Sequence, residues 1–273
     1  MKTLLKKLIL TSLLIGLLFV SLPAQHFLLQ NMPPSRSELG VRFMRPNFSS
    51  DDADLSLLSG VYELNFNIPF GDQFSFIGIF PFSTFSAKDE DSESGIGNIY
   101  LGLQTRPPAA STNKSSLSFG VFLPTASDEL APVVMGLYSN YYEMQKYIFD
   151  LMTIYGNYAF CREQSNVIFS FEVGPNIFIP TKKEREGELF AHYGVFGGVK
   201  LNQLILGAEL TGLVVISEDV DRFEDRFVHA VGFGIHWRGD NFKPTLFYQI
   251  YLDEEYKDVV DGVLGIKLNV IIP

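Results

Sequence analysis

The sequence predicts an all-β fold, an up-and-down antiparallel transmembrane β-barrel of about twelve strands with both termini periplasmic. Three observations predict it. Short connections alternate with longer, mostly acidic ones, segments of about ten apolar-alternating residues run between them, and the chain opens on an export leader. The tight turns are Gly71-Asp72-Gln73, the stretch 161–166, Leu201-Asn202-Gln203 and Gly239-Asp240-Asn241; the longer loops are 87–95, 124–146, 181–188, 217–226 and 253–258. One rim is trimmed and the other elaborated, the pattern of short periplasmic turns and long external loops.

Residues 1–24 form the leader. Lys2, Lys6 and Lys7 precede an apolar run from Leu8 to Val20, and Ala24 offers a small residue for cleavage before Gln25. The run is shorter than the ~20 residues of a spanning helix, and no cysteine near the cut supports a lipid anchor. Residues 25–37 then form a short periplasmic segment, and 38–273 the barrel. Strands are predicted at 38–45, 55–70, 74–86, 96–106, 116–124, 147–160, 167–180, 189–200, 204–216, 227–238, 242–252 and 259–271. The interval 129–146, with Pro132 and Tyr138, Tyr141 and Tyr142, reads equally as loop, short helix or strand.

Alternation is cleanest late in the chain. Leu204, Leu206, Ala208 and Leu210 share one face and Gly207, Glu209 and Thr211 the other; Leu246, Tyr248 and Ile250 oppose Lys243, Thr245 and Gln249. A soluble barrel or sandwich has the same period with its oily face inward. Strand length, charges on the polar face and Trp237 beside a tight turn favour oil outward, against lipid. The last strand carries Gly265, Leu268 and Val270 in the spacing read by the outer-membrane assembly machinery, but ends Ile271-Ile272-Pro273 without the usual aromatic residue.

Composition narrows the classes of function. With 21 Lys and Arg against 31 Asp and Glu the net charge is −10, unsuited to nucleic acid. The single cysteine, Cys161, excludes an internal disulfide framework. The expected partners are membrane lipid, lipopolysaccharide bridged to the acidic loops by divalent ions, and a small solute. No cofactor is expected: the four histidines lack zinc-ligand spacing, Gly95-Ile96-Gly97 lacks the third glycine of a dinucleotide loop, and no Gly-x-Ser-x-Gly elbow occurs.

The runs Phe76-Ile77-Gly78-Ile79-Phe80-Pro81-Phe82, Ser94-Gly95-Ile96-Gly97-Asn98-Ile99-Tyr100-Leu101-Gly102-Leu103 and Phe119-Gly120-Val121-Phe122-Leu123-Pro124-Thr125 resemble an outer-membrane barrel family associated with the meta-cleavage pathway of phenol degradation. In that family a Pro-aromatic strand end precedes Gly-x-Gly-Asp and then Leu-Pro-Thr-Gly; here Asn98 stands for the Asp and Ala126 for the last Gly. The resemblance covers about residues 70–126. It implies a small barrel distantly similar to long-chain fatty-acid transporters, passing hydrophobic or aromatic compounds. Residues 25–37 are shorter than the N-terminal plug of those transporters.

Candidate functional residues fall on the expected lumen face. Glu172 and Glu209 lie near mid-depth two strands apart, ~10 Å across a gap floored by Gly194 and Gly198, and charge at membrane depth points to function. His236, Arg238, Lys243, Gln249 and Lys267 join them, and Arg106, Lys200, Arg238, Lys243 and Lys267 predict a basic inner half beneath an acidic outer vestibule. The expected function is a narrow channel or transporter for small hydrophobic or aromatic solutes, and not an enzyme. The alternatives are a structural or surface-interaction barrel, a secreted soluble barrel, and a lipid-modifying enzyme using His192 or His229 at the rim.

Overall fold

In the computed structural model the described residues are 27–29, 32–49, 55–87, 91–108, 113–182, 186–217 and 226–272. The predicted leader lies outside them. They form thirteen strands: β1 Glu38–Phe48, β2 Gly60–Phe70, β3 Phe74–Phe85, β4 Glu93–Ile96, β5 Tyr100–Thr105, β6 Asn113–Phe122, β7 Leu151–Gln164, β8 Val167–Pro180, β9 Glu188–Leu201, β10 Leu204–Val215, β11 Phe227–Trp237, β12 Phe242–Tyr251 and β13 Val260–Ile271. Every pairing is antiparallel between neighbours, and β1 pairs with β13, so the sheet closes on itself. β4 and β5 both pair with β3, beside different halves of it, and together make one stave. The wall is therefore a twelve-stave barrel with one extra strand.

Three of the short turns are set by left-handed backbone. Gly71 (φ 62°), Ser165 (φ 52°) and Asn202 (φ 59°) each reverse the chain within a few residues. The fourth predicted strand, 96–106, is broken at residues 97–99, and Cys161 belongs to β7 instead of to a turn. Residues 55–59 lie outside β2; of these Leu55 makes only an isolated bridge to Ala87. The ambiguous interval resolves as helix α1, Leu130–Ser139, followed by a 3-10 turn, Tyr141–Lys146. A second, one-turn helix, α2 (Glu254–Lys257), sits in the loop before β13.

The two faces have opposite chemistry. On β12, Leu246 is 50% exposed, while Thr245 and Gln249 on the other face are 2% and 0% exposed. The outward row continues through Leu206, Phe233, Ile235, Ile266 and Leu268, all more than a third exposed; the inward row includes buried Glu209, His236, Lys267 and Asn269. A soluble fold buries its oil and exposes its charge; this wall does the reverse, as a barrel in lipid must. Among the described residues no helix is long and apolar enough to cross a membrane.

An arginine at the outward position Leu246 is expected to cost about 2–4 kcal/mol in reversible unfolding from lipid vesicles. Gln249→Leu, which removes two buried amide atoms that have no partner among the described residues, is expected to be neutral or stabilising. Equal effects at the two positions would contradict the assignment of faces.

Candidate functional site

Glycine decides what fills one half of the lumen. Gly194 and Gly198 on β9, Gly207 on β10, Gly232 and Gly234 on β11 and Gly265 on β13 leave that wall without side chains. The rings of Phe196 and Phe247 cover part of it, and residues 27–29 take the rest. A methyl group at Gly194 would stand 2.1 Å from Leu29 Cδ2, and one at Gly234 2.7 Å from the Phe27 ring. That ring lies parallel to Phe247 (5.7 Å, 7°) and edge-on to Phe196 (5.7 Å, 82°).

Glu209 fastens this segment. Its carboxylate accepts the backbone N–H groups of Phe27 (3.0 Å), Leu28 (2.8 Å) and Leu29 (3.1 Å), and Arg42 donates to the Phe27 carbonyl at 3.3 Å. Three donors compensate a carboxylate that would otherwise be unstable in so buried a place. The segment expected ahead of the barrel thus folds back inside it. Short as it is, it plugs the lumen, because the glycines supply the room.

Charge holds the second plug, the inward loop of α1 and the 3-10 turn. Arg42 donates to both oxygens of Glu63 at 2.8 and 2.7 Å and pairs with Glu143; Lys146 reaches Glu63 at 3.0 Å and Glu143 at 2.8 Å. Tyr147 donates its hydroxyl to Glu63 at 3.1 Å. Two cations meet two anions, so the network is neutral. Burial opposes ionisation of Glu143, but Arg42 and Lys146 outweigh it and hold that carboxyl well below the usual carboxylate range. Tyr142 donates to Glu172 at 2.6 Å, and Asn157 donates to its other oxygen at 3.2 Å.

The loop is also tied to the break between β4 and β5. Asn98 Nδ2 donates to the carbonyls of Gln145 (2.8 Å) and Ile148 (2.7 Å), and Asn98 Oδ1 accepts the Ala126 N–H at 2.8 Å. Aspartate, usual here in the family resembled, could accept but not donate. The two positions where this chain departs from that pattern are therefore hydrogen-bond partners.

The predicted site residues take unequal places. Glu172 and Glu209 both face the lumen, but Leu29 lies over Gly194, the partner of Glu172 on β9, and each acid secures a different plug. Lys243 pairs with Glu38 at 2.8 Å, Arg238 pairs with Glu163 at 3.2 Å, and Lys200 also meets Glu163. Arg106 donates to the carbonyl of Gly71 at 2.7 Å. The basic inner half expected from spacing is thus largely neutralised by acids that the strand pattern places across the wall. His236 meets Thr245 at 2.7 Å, and Gln249 is buried with its amide atoms unpartnered among the described residues. Lys267 borders a cavity of about 100 Å³ between the plugs, with Arg42, Tyr100, Tyr155, Glu172 and Leu28. His192 is enclosed between Asn176 (3.1 Å) and Asn157 (3.2 Å), and His229 meets the Tyr193 hydroxyl at 2.6 Å.

Sequence reasoning did not single out Arg42, Glu63, Glu143, Lys146 or Phe27, and it marked Asn98 only as a departure from the resembled pattern. One signal was present: a run of lumen-facing glycines implies a filler from elsewhere in the chain.

No protein-family model matches the chain, and neither does any curated protein sequence. Its fold is similar to that of an outer membrane channel from Pseudomonas putida F1, with a TM-score of 0.61 at 10% identity over 92% of this chain and 98% of that one. It also aligns with the KdgM porin (TM-score 0.49, 7% identity, 86% and 99% covered) and with LpxR from Salmonella typhimurium (TM-score 0.46, 10% identity, 86% and 100% covered). The first likeness shows a shared outer-membrane barrel fold.

Asn98→Asp is expected to loosen the inward loop by about 1–3 kcal/mol, since it removes two donors and sets a carboxylate against carbonyl oxygens. Limited proteolysis within 124–150 checks this: cleavage should be faster than in the wild type, and an unchanged rate would exclude the anchoring role.

Proposed function

We propose that this chain is an outer-membrane channel for small hydrophobic or amphipathic solutes, closed in this structure by two plugs that belong to the chain itself. The observation that carries the reading is the construction of the lumen. A barrel serving only as scaffold needs no more than wall side chains to fill it; here residues 27–29 and the loop of α1 fill it, held by hydrogen bonds and ion pairs that can be exchanged for water. The leader, the oily exterior and the last strand support export to, and assembly in, the outer membrane. Hydrophobic Ile77, Phe122, Tyr100 and Tyr155 on one side of the cavity, and Arg42 and Lys267 on the other, favour solutes with one apolar and one polar part.

The neutral network around Glu143 is the point to test. Glu143→Gln leaves Arg42 and Lys146 facing one carboxylate, a loss of roughly 3–5 kcal/mol for a broken buried pair, and should release the loop. In planar bilayers the wild type should conduct little and without strong ion selectivity, and Glu143→Gln should conduct more. Large, steady, strongly selective wild-type currents would refute the narrow channel, and a variant as silent as the wild type would return the barrel to a structural role. Because the Glu143 carboxyl is depressed in the closed state, its stabilisation is whole above the ordinary carboxylate range and is lost progressively as pH falls from that range through the depressed value. Proteolysis within 124–150, which reads this anchor alone, should therefore be equally slow at pH 8 and pH 5 and quicken only in stronger acid.

A further inference from the structure

The place occupied by residues 27–29 has the parts of a ligand site. One carboxylate, Glu209, accepts three N–H donors on its two oxygens at 2.8–3.1 Å, and one aromatic ring lies between Phe247 and Phe196 above Gly232 and Gly234. Nothing else in the wall fills that ring position, because the strand carries only glycines there. The segment meets it with the nitrogen of Phe27, two carbons, and a phenyl ring.

We infer that this socket binds primary aralkyl ammonium compounds, and that residues 27–29 are its tethered occupant. A primary ammonium in the place of the Phe27 nitrogen donates one or two N–H bonds to the Glu209 carboxylate and adds the positive charge that neutral amides lack. The skeleton of 2-phenylethylammonium repeats the nitrogen, two carbons and ring of Phe27. Anionic aromatic compounds are excluded by Glu209, and alkyl ammonium ions without a ring leave the Phe196–Phe247 gap empty. The assignment deepens the channel reading and rests on it for access to the lumen, but binding is measurable without conductance.

The test uses 2-phenylethylammonium and full-length protein in detergent, by calorimetry, with heat-modifiability on gels as the check of folding. In a Phe27→Gly, Leu29→Asp double variant the ring is gone and a like charge beside Glu209 undocks the segment. Saturable binding at least tenfold tighter than in the wild type is expected. Adding Glu209→Gln, or filling the ring position from the wall with Gly234→Val, should each weaken it at least tenfold, and 3-phenylpropionate and butylammonium should bind no better than to the wild type. Absence of saturable binding, or binding indifferent to Glu209→Gln, overturns the proposal. Should the double variant not fold, the wild type decides: excess amine should speed hydrogen exchange at the amides of residues 27–29, and unaltered exchange overturns it. Binding without conductance would leave the socket standing and remove the channel; conductance without binding would do the opposite.

Discussion

A wall that turns oil outward has to satisfy every backbone polar group within itself, because lipid offers no partner for an N–H or a carbonyl. Closure of β1 on β13 meets that demand around the circumference. At residues 97–99 the ladder lapses, and there each amide is taken up individually: Gly97 by the Pro81 carbonyl, Asn98 by the Lys146 carbonyl, and Ile99 by the Thr125 hydroxyl. The inward loop is therefore both a stopper and a part of the wall. A loop that moves out of the pore must leave the Asn98 amide to water.

The same demand fixes the chemistry of the interior. Ionised side chains cannot face lipid, so they gather inside, and each acid there is met differently. Glu209 takes backbone amides, Glu172 a phenol and a carboxamide, Glu63 a guanidinium, an ammonium and a phenol, and Glu38 an ammonium with the Asn269 amide. None of these groups faces a like charge alone. The interior is consequently polar but close to neutral along its length, a better environment for amphipathic solutes than for a stream of ions of one sign.

Much of this was legible in the amino-acid sequence, and the divisions are physical. Strands β10 to β13 could be read almost to the residue because lipid and lumen make opposite demands on alternate positions. The break at 97–99 could not, since Gly97 and Asn98 keep the period of a strand while their hydrogen bonds go elsewhere. The helix α1 spans only ten residues with Pro132 in its first turn, too short for a helical period to stand out from a strand. Glu172 and Glu209 were legible as lumen acids, but not their partners. Tyr142 lies 30 positions from Glu172 and Phe27 lies 182 from Glu209, distances at which spacing carries no information.

That separation of 182 positions also orders events in time. Residues 27–29 belong to no ladder, and their contacts reach β10 and β12, so they cannot form until those strands stand side by side. Loop-closure entropy puts such a contact among the last to be made. Among the described residues, the segment that leads the chain into the barrel is thus set in place late, after the wall that receives it.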